Sequence, residues 1–136
     1  MTSKVTYLGD LRTASVHLQS GVTIITDAPV DNHGKGEAFS PTDSVANALA
    51  TCMLTIMGIK SAAMDIDISG STASVTKHMQ AEPRKISKIE IVLDMSISVD
   101  EKSKAILERA ARTCPVSLSL HPDIEQAITF SWKNAA

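Results

Sequence analysis

The hydrophobic pattern of this chain changes from the period of strands to that of a helix, and then back again. In the first third, residues 5–7 and 16–18 alternate between apolar and polar side chains, and residues 22–26 form a β-branched run. Alternation with a period of two is typical of strands. Ser20 and Gly21 supply a turn signal before the third run. The pattern therefore predicts an N-terminal β-meander.

The longest apolar stretch, residues 44–59, has the spacing of a helix. Ser40 is a suitable N-cap, Pro41 suits the first helical position, and Asp43 can complete an acidic capping box with Ser40. Small or apolar residues occupy every face, which predicts a central, buried helix that carries Cys52. Its 16 residues are fewer than the roughly 20 apolar residues of a membrane span.

The second half of the chain begins with a predicted long hairpin. Residues 65–80 predict a strand with a bend or bulge at Gly70, and residues 82–84 predict a turn. Residues 89–99 show the clearest alternation in the chain. We expect one face of this strand to pack on the core.

A second helix and a last strand are predicted after the hairpin. Asp100 can cap a helix over residues 101–113, and residues 116–120 fit either a short helix or a strand. Three alternating apolar residues close the chain: Ile128, Phe130 and Trp132. The predicted fold class is α+β, in a single domain that spans residues 1–136.

Composition mainly excludes classes of function. With 13 Lys and Arg against 15 Asp and Glu, the net charge of −2 does not favour a nucleic-acid-binding protein. One Trp, one Tyr and two Phe leave little on which bases stack. The first ten residues lack the apolar segment of a signal peptide. We expect a soluble, cytoplasmic protein that does not act at a membrane.

The two cysteines are too few for a disulfide scaffold and are expected to be free thiols. Cys114 precedes Pro115 and is predicted to cap a short helix, where unpaired N–H groups lower a thiol pKa. Cys52 lies inside an apolar helix, where burial raises a thiol pKa. From the residues alone, packing is the stronger interpretation for Cys52.

No metal or phosphate site is expected. The four histidines are scattered without the spacing of metal ligands. The segment Gly34-Lys35-Gly36 lacks the spacing and the Ser or Thr of a phosphate-binding loop.

Residues 39–54, FSPTDSVANALATCML, resemble the central-helix signature of the OsmC/Ohr family. This family comprises the osmotically induced and organic hydroperoxide resistance proteins. Pro41 precedes Cys52 by eleven positions, as in that signature, and Cys114-Pro115 matches the second family motif, a late Cys-Pro. The order of predicted elements agrees as well, so the resemblance, to the OsmC-like branch, covers essentially the whole chain.

The resemblance implies an intertwined homodimer and a thiol-dependent peroxidase that uses no cofactor. Cys52 would reduce an organic hydroperoxide to an alcohol, and Cys114 would close a disulfide with the resulting sulfenate. A small dithiol or lipoyl-type reductant would reopen that disulfide. Met53 and Met57 are candidates to line the apolar substrate pocket. The alternatives are a dimer with weak or no peroxidase activity that binds small molecules or senses redox state, and a structural protein with inert thiols.

The resemblance also implies a cation that holds Cys52 as a thiolate and an acid that orients it. Arg12 is the only arginine before the central helix and is the candidate cation. The residue after the helix-start proline, acidic in the best-known peroxidases, is Thr42 here. Glu37 or Asp43 can substitute for it, and Glu37 is favoured because Asp43 already has a capping role.

Overall fold

The computed structural model describes residues 1–135 and confirms the α+β class. The chain divides into two compact units, of which one is Met1–Val45 and the other begins at Ala46. Each unit contains one three-stranded sheet. That the whole chain is a single domain stays a prediction.

The elements occur in the predicted general order. Residues 116–120, for which the sequence fits either a short helix or a strand, form a short helix and its C-cap. In chain order they are β1 (Ser3–Gly9), β2 (Arg12–His17), β3 (Thr23–Asp27), a 3₁₀ turn (Val30–Asn32), α1 (Pro41–Ala63), β4 (Thr72–Ala81), β5 (Arg84–Asp94), α2 (Glu101–Arg112), α3 (Pro115–Ser119) and β6 (Glu125–Ser131).

The first unit contains the predicted β-meander, in which β2 pairs antiparallel with both β1 and β3. The turn between β2 and β3 begins where the His17 N–H donates to the Val22 carbonyl at 2.8 Å. At the other end of this strand pair, Arg12 lies directly opposite Asp27. Directly opposed residues on one face of a sheet bring their side chains within contact distance. The register therefore sets two opposite charges side by side.

The start of α1 has the predicted capping box. The Asp43 N–H donates to Ser40 Oγ at 3.0 Å, and the Ser40 N–H donates to Asp43 Oδ2 at 3.0 Å. Two N–H groups that lie before the first helical hydrogen bonds are thus paired. The helix that follows is longer than the apolar stretch and ends at Ala63.

The core of the second unit forms around one face of α1. Leu49, Met53 and Met57 have no exposed surface. They belong to one cluster with residues of β5 and α2, namely Ile89, Ile91, Leu93, Leu107 and Ala111. Burial of such side chains is the main favourable contribution to folding, at about 1.5–3 kcal/mol each.

The opposite face of α1 is exposed, so the expectation that the helix is buried on every side is wrong. Thr51 and Thr55 are exposed, and Ile59 is 65% exposed. The physical reason is that the second unit has one sheet, and a helix packed on one sheet buries one face.

By length and composition alone, α1 is able to cross a membrane, with a mean hydropathy of 1.4. The core helix of a soluble protein passes the same test, and the fully buried Leu49, Met53 and Met57 give α1 this core role.

The strand predicted over residues 65–80 is wrong in its first part, because β4 begins at Thr72. Asp65 and Gly70 have φ angles of 57° and 88°, which lie outside the extended region that regular strands occupy. The Ser71 N–H donates to the Ile68 carbonyl at 3.0 Å, as in a turn. The apolar residues of this segment belong to the connection between α1 and β4.

The predicted strand over residues 89–99 is shifted, since β5 covers Arg84–Asp94. A bulge on β5 lies between Lys88, opposite His78, and Ile86, opposite Met79. The extra residue changes the phase of the strand, so Ile86 and Ile89 are both buried although they are three positions apart. Local alternation does not reveal such a phase change.

The stability of the second unit is expected to depend on the inward face of β5. We predict that Ile91→Ala lowers the free energy of unfolding by about 2–5 kcal/mol, because it opens a cavity at a fully buried site. Val92→Ala, on the outward face at 46% exposure, is the control and costs less than about 1 kcal/mol. Urea unfolding followed by circular dichroism measures both, and equal losses would contradict the assigned strand face.

Candidate functional site

Cys52 lies on α1 at the edge of its buried face. Its side chain is half-buried and packs against the core cluster. The preceding residue, Thr51, is exposed, and the following one, Met53, is fully buried. The thiol is thus surrounded by apolar side chains on one side and remains reachable from the other.

Cys114 is the N-cap of α3, as the sequence predicts. Its Sγ accepts a hydrogen bond from the Ser117 N–H at 3.4 Å, and Pro115 stands at the first helical position. The residue is fully buried. Of the two structures left open for residues 116–120, the chain forms a helix.

The short helix is fixed to the sheet by a pair of reciprocal hydrogen bonds. Ser117 Oγ donates to Gln126 Oε1 at 2.6 Å, and Gln126 Nε2 donates to the Ser117 carbonyl at 3.1 Å. Gln126 belongs to β6, whose neighbour is the central strand β5. Because Ser117 also donates to Cys114, the position of this thiol is tied to the sheet.

The structure places Cys114 close enough to Cys52 for the two thiols to influence each other, and both are free. Burial raises the pKa of Cys114, and the adjacent Cys52 raises it further, whereas the Ser117 N–H acts in the opposite direction. The prediction that the helix start lowers the pKa of Cys114 is therefore wrong. One long hydrogen bond at a helix of one turn does not offset the loss of solvent around the sulfur.

In the first unit, Arg12 and Asp27 form a bidentate ion pair. Arg12 Nε lies 2.7 Å from Asp27 Oδ1, and Arg12 Nη2 lies 2.8 Å from Asp27 Oδ2. The Asp27 side chain has no exposed surface, and that of Arg12 is 30% exposed. The hydrogen bonds from Arg12 lower the pKa of Asp27, and the same contact raises the pKa of Arg12. Both groups are therefore charged at neutral pH.

Glu37 is a secondary partner of Arg12. Its Oε1 lies 3.9 Å from Arg12 Nη2, and its side chain is 67% exposed. Its backbone N–H donates to Asp27 Oδ2 at 3.1 Å. The sequence favoured Glu37 as the acid beside Arg12, and the structure gives the shorter, buried contacts to Asp27.

Sequence reasoning missed Asp27 because the predicted third strand stops at residue 26, and the residues from Asp27 to Ala38 have the Gly, Asp, Asn and Pro content of a loop. A usable signal was present in the turn at Ser20 and Gly21. The turn brings His17 next to Val22. Each residue before His17 on β2 then pairs with one residue further along β3, so that five steps lead to the pair of Arg12 and Asp27. An antiparallel register fixed by its turn identifies the pair.

Met53 and Met57 have no exposed surface and pack in the core. The structure gives them a packing role, and their contact with a substrate stays a prediction. A groove of about 430 Å³ is present instead on the surface of the second unit. Its lining comes from α1, α2 and the residue before Cys114: Ile56, Lys60, Ile106, Arg109, Ala110 and Thr113.

Within residues 1–135, no group of three or more His, Cys, Asp or Glu side chains is placed to hold a metal ion. The second unit contains a pair of thiols, one half-buried and one fully buried, in apolar surroundings.

Comparison with known proteins identifies the fold. The chain is 58% identical to a candidate osmotic stress induced and detoxification response protein from Psychrobacter arcticus, with a TM-score of 0.93 over 96% of this chain and 95% of that one. It is 16% identical to the organic hydroperoxide resistance protein OsmC from Legionella pneumophila, with a TM-score of 0.71 over 96% and 97% of the two chains.

An organic hydroperoxide resistance protein from Elizabethkingia anophelis shares the fold at 15% identity, with a TM-score of 0.75 over 98% of this chain and 97% of that one. No curated protein sequence gives a match. The model of the OsmC-like protein family matches residues 34–129, a segment that includes α1, both cysteines and the long hairpin. The chain belongs to the OsmC-like protein family.

Proposed function

We propose that the protein is a thiol-dependent peroxidase that reduces organic hydroperoxides to alcohols. The observation that carries this proposal is the proximity of a half-buried thiol, Cys52, to a fully buried thiol, Cys114. A peroxide reaches the first more easily than the second. Because burial and Cys52 raise the pKa of Cys114, Cys114 remains protonated while Cys52 reacts. Two thiols with different tasks thus lie side by side.

The reaction balances without a metal or other cofactor. The Cys52 thiolate attacks the terminal oxygen of the hydroperoxide, the O–O bond breaks, and the alkoxide leaves and takes up a proton as the alcohol. Cys52 is then a sulfenic acid. The Cys114 sulfur attacks the sulfur of this sulfenic acid, water leaves, and a disulfide forms. A small dithiol or lipoyl-type reductant reduces the disulfide and is itself oxidised to a cyclic disulfide.

The substrate class follows from the surroundings of Cys52. Apolar residues of the core cluster surround one side of this thiol, and such surroundings favour a peroxide with an alkyl group over hydrogen peroxide. Ile56 lies one helical turn after Cys52, and Thr113 directly precedes Cys114. Both line the groove of about 430 Å³, which offers a path for such a substrate to the thiol pair.

Within this proposal, Arg12 stabilises the Cys52 thiolate, in the role that the family resemblance implies. Its charge is secured by the ion pair with Asp27. The two free thiols are typical of a reducing compartment, and we place the protein in the cytoplasm.

A homodimer is part of the same proposal. The sheet of the first unit exposes apolar side chains on both faces: Val5, Tyr7, Val16, Ile24 and Ile25. The face of α1 around Ile59 is exposed as well. A small sheet needs a packed hydrophobic face for its stability, and large exposed apolar patches mark interaction surfaces. A second, intertwined copy of the chain is the partner that covers both surfaces.

The first prediction from this proposal concerns turnover. Reduced protein with dihydrolipoamide is expected to consume cumene hydroperoxide, and Cys52→Ser is expected to lower kcat/KM by about a hundredfold or more. The Cys114→Ser variant is expected to complete the first turnover and then stop, because the Cys52 sulfenate has no second thiol with which to form a disulfide. Peroxide consumption and mass spectrometry of the sulfenate measure both. No turnover by fully reduced wild-type protein would contradict the proposal and favour the binding or redox-sensing alternative.

The second prediction concerns the order of reaction of the two thiols. At pH 7.5, iodoacetamide is expected to alkylate Cys52 several times faster than Cys114, because Cys114 is buried and its pKa is raised. In the Cys52→Ser variant, Cys114 reacts appreciably only above its ordinary pKa of about 8.5. Peptide mapping by mass spectrometry gives the two rates. Faster alkylation of Cys114 would reverse the assigned roles.

The third prediction concerns assembly. Wild-type protein is expected to sediment as a dimer, and Ile24→Glu is expected to weaken the dimer at least about tenfold, since a charge is buried in an apolar contact. Leu118→Glu is the matched control, because Leu118 is 72% exposed on the separate helix α3. Sedimentation over a range of concentrations measures both dissociation constants. A monomeric wild type would refute this part of the proposal.

A further inference from the structure

Cys114 lies between two helices that are both attached to the same strand. On the α2 side, Arg112 Nη2 donates to the Ile128 carbonyl of β6 at 3.3 Å, and its guanidinium lies 5.3 Å from the centre of the Phe130 ring. On the α3 side, the attachment is the side chain of Gln126, which is also on β6. The segment that carries the thiol is thus held at both ends by one strand of the sheet.

Gln126 uses both polar atoms of its amide for this attachment. Its Oε1 accepts from Ser117 Oγ at 2.6 Å, and its Nε2 donates to the Ser117 carbonyl at 3.1 Å. A carbonyl only accepts, so it requires the amide donor, and a carboxylate of the same shape offers none. The backbone of Gln126 is paired with Ile89, a fully buried residue of β5. The amide therefore extends from a fixed backbone to two groups of one residue on α3.

Ser117 transmits this attachment to the thiol. Its N–H donates to Cys114 Sγ at 3.4 Å, and its hydroxyl lies 3.2 Å from the Arg112 carbonyl at the end of α2. The helix α3 has five residues, too few for its own hydrogen bonds to hold it in place. Cys114 is fully buried, so a change in the position of its sulfur requires the surrounding turn to move. The attachment of the turn therefore fixes the sulfur.

We infer that Gln126 is a positioning residue for Cys114 and, through Ser117, holds the sulfur where it closes a disulfide with Cys52. The inference rests on the proposed function for this chemical step, but the hydrogen bonds that carry it do not. In this step the Cys114 sulfur attacks the Cys52 sulfenic acid, the S–S bond forms, the S–O bond breaks, and water leaves with the thiol proton. Gln126 touches none of the reacting atoms.

Such a role affects one half of the catalytic cycle. The reaction of Cys52 with a hydroperoxide uses none of the hydrogen bonds of Gln126, whereas disulfide closing depends on where Cys114 lies. A displacement of about 1 Å costs an oriented reaction up to roughly a hundredfold in rate. Gln126→Glu keeps the shape and the acceptor for the Ser117 hydroxyl, but it places an anionic oxygen against the Ser117 carbonyl. We expect disulfide closing to slow about tenfold or more and sulfenate formation to keep its rate.

The experiment follows a single turnover of full-length protein with cumene hydroperoxide, and mass spectrometry after rapid quenching measures the sulfenate and the disulfide. Gln126→Glu is expected to accumulate more sulfenate than the wild type. Gln80→Glu is the matched control, because Gln80 Nε2 donates to the Glu82 carbonyl at 3.5 Å at an exposed position on β4, and both of its rates stay at wild-type values. Unchanged closing in Gln126→Glu, or an equal loss in both steps, would overturn the inference.

A second pair of variants tests the link through Ser117 without adding a charge. Ser117→Ala is expected to slow disulfide closing severalfold, and its double variant with Gln126→Glu to lose less than the sum of the two, since both act through one attachment. Ser119→Ala removes a hydroxyl of the same helix, which donates to the Pro115 carbonyl at 2.7 Å, and leaves closing unchanged. Additive losses, or equal effects of the two serine variants, would refute the role of Gln126. If circular dichroism shows that Gln126→Glu does not fold, the two serine variants decide alone.

Two further readouts need no peroxidase activity. Diamide oxidises a thiol pair without a peroxide, because Cys52 adds to its N=N bond and Cys114 then displaces the hydrazine as the disulfide forms. Gln126→Glu is expected to slow the second of these steps and, in Cys52→Ser protein, to speed the alkylation of the released Cys114. If the wild type consumes no hydroperoxide, the proposed function fails, and the diamide and alkylation rates still decide the role of Gln126. Wild-type values for both rates would overturn the inference.

Discussion

The burial of one face of α1 is the constraint on which the candidate site depends. Leu49, Met53 and Met57 occupy successive turns and have no exposed surface, so the rotation of the helix about its axis is fixed by the core. With that rotation fixed, Cys52 has to lie at the edge of the buried face, between Thr51 and Met53. A rotation by one residue position, about 100°, would bury the thiol completely or expose it. The half-buried thiol is thus a consequence of core packing.

In the first unit, the strand register fixes the position of a charged pair. The pairing of β2 with β3 places Arg12 opposite Asp27, so the ion pair is a consequence of the backbone hydrogen bonds between the two strands. A shift of the register by one residue would send one of the two to the other face of the sheet. The long side chain of Arg12 has many rotamers, and the buried carboxylate selects among them.

The parts of this structure that were predictable from sequence are those that depend on neighbouring residues. The capping box of Ser40 and Asp43 and the Pro115 helix start involve residues within four positions, and short-range hydrogen bonds form wherever these residues occur. The pKa of Cys114 was mispredicted because its main cause, burial, comes from elements far away in the chain. The strand predicted over residues 65–71 does not form although its apolar residues alternate, because Asp65 and Gly70 adopt positive φ angles in the connection.

Thr42 carries no charge, so the acid that holds Arg12 in the first unit does not come from the start of α1. A guanidinium is held in a defined place by any acid that binds it with two oxygens, and a helix start is only one position for such an acid. A cross-strand acid has two advantages, since its backbone is fixed on β3 by the sheet and its carboxylate is shielded from water and salt. Asp27 binds Nε and Nη2 of Arg12 with both of its oxygens, so the pair fixes the plane of the guanidinium as well as its position.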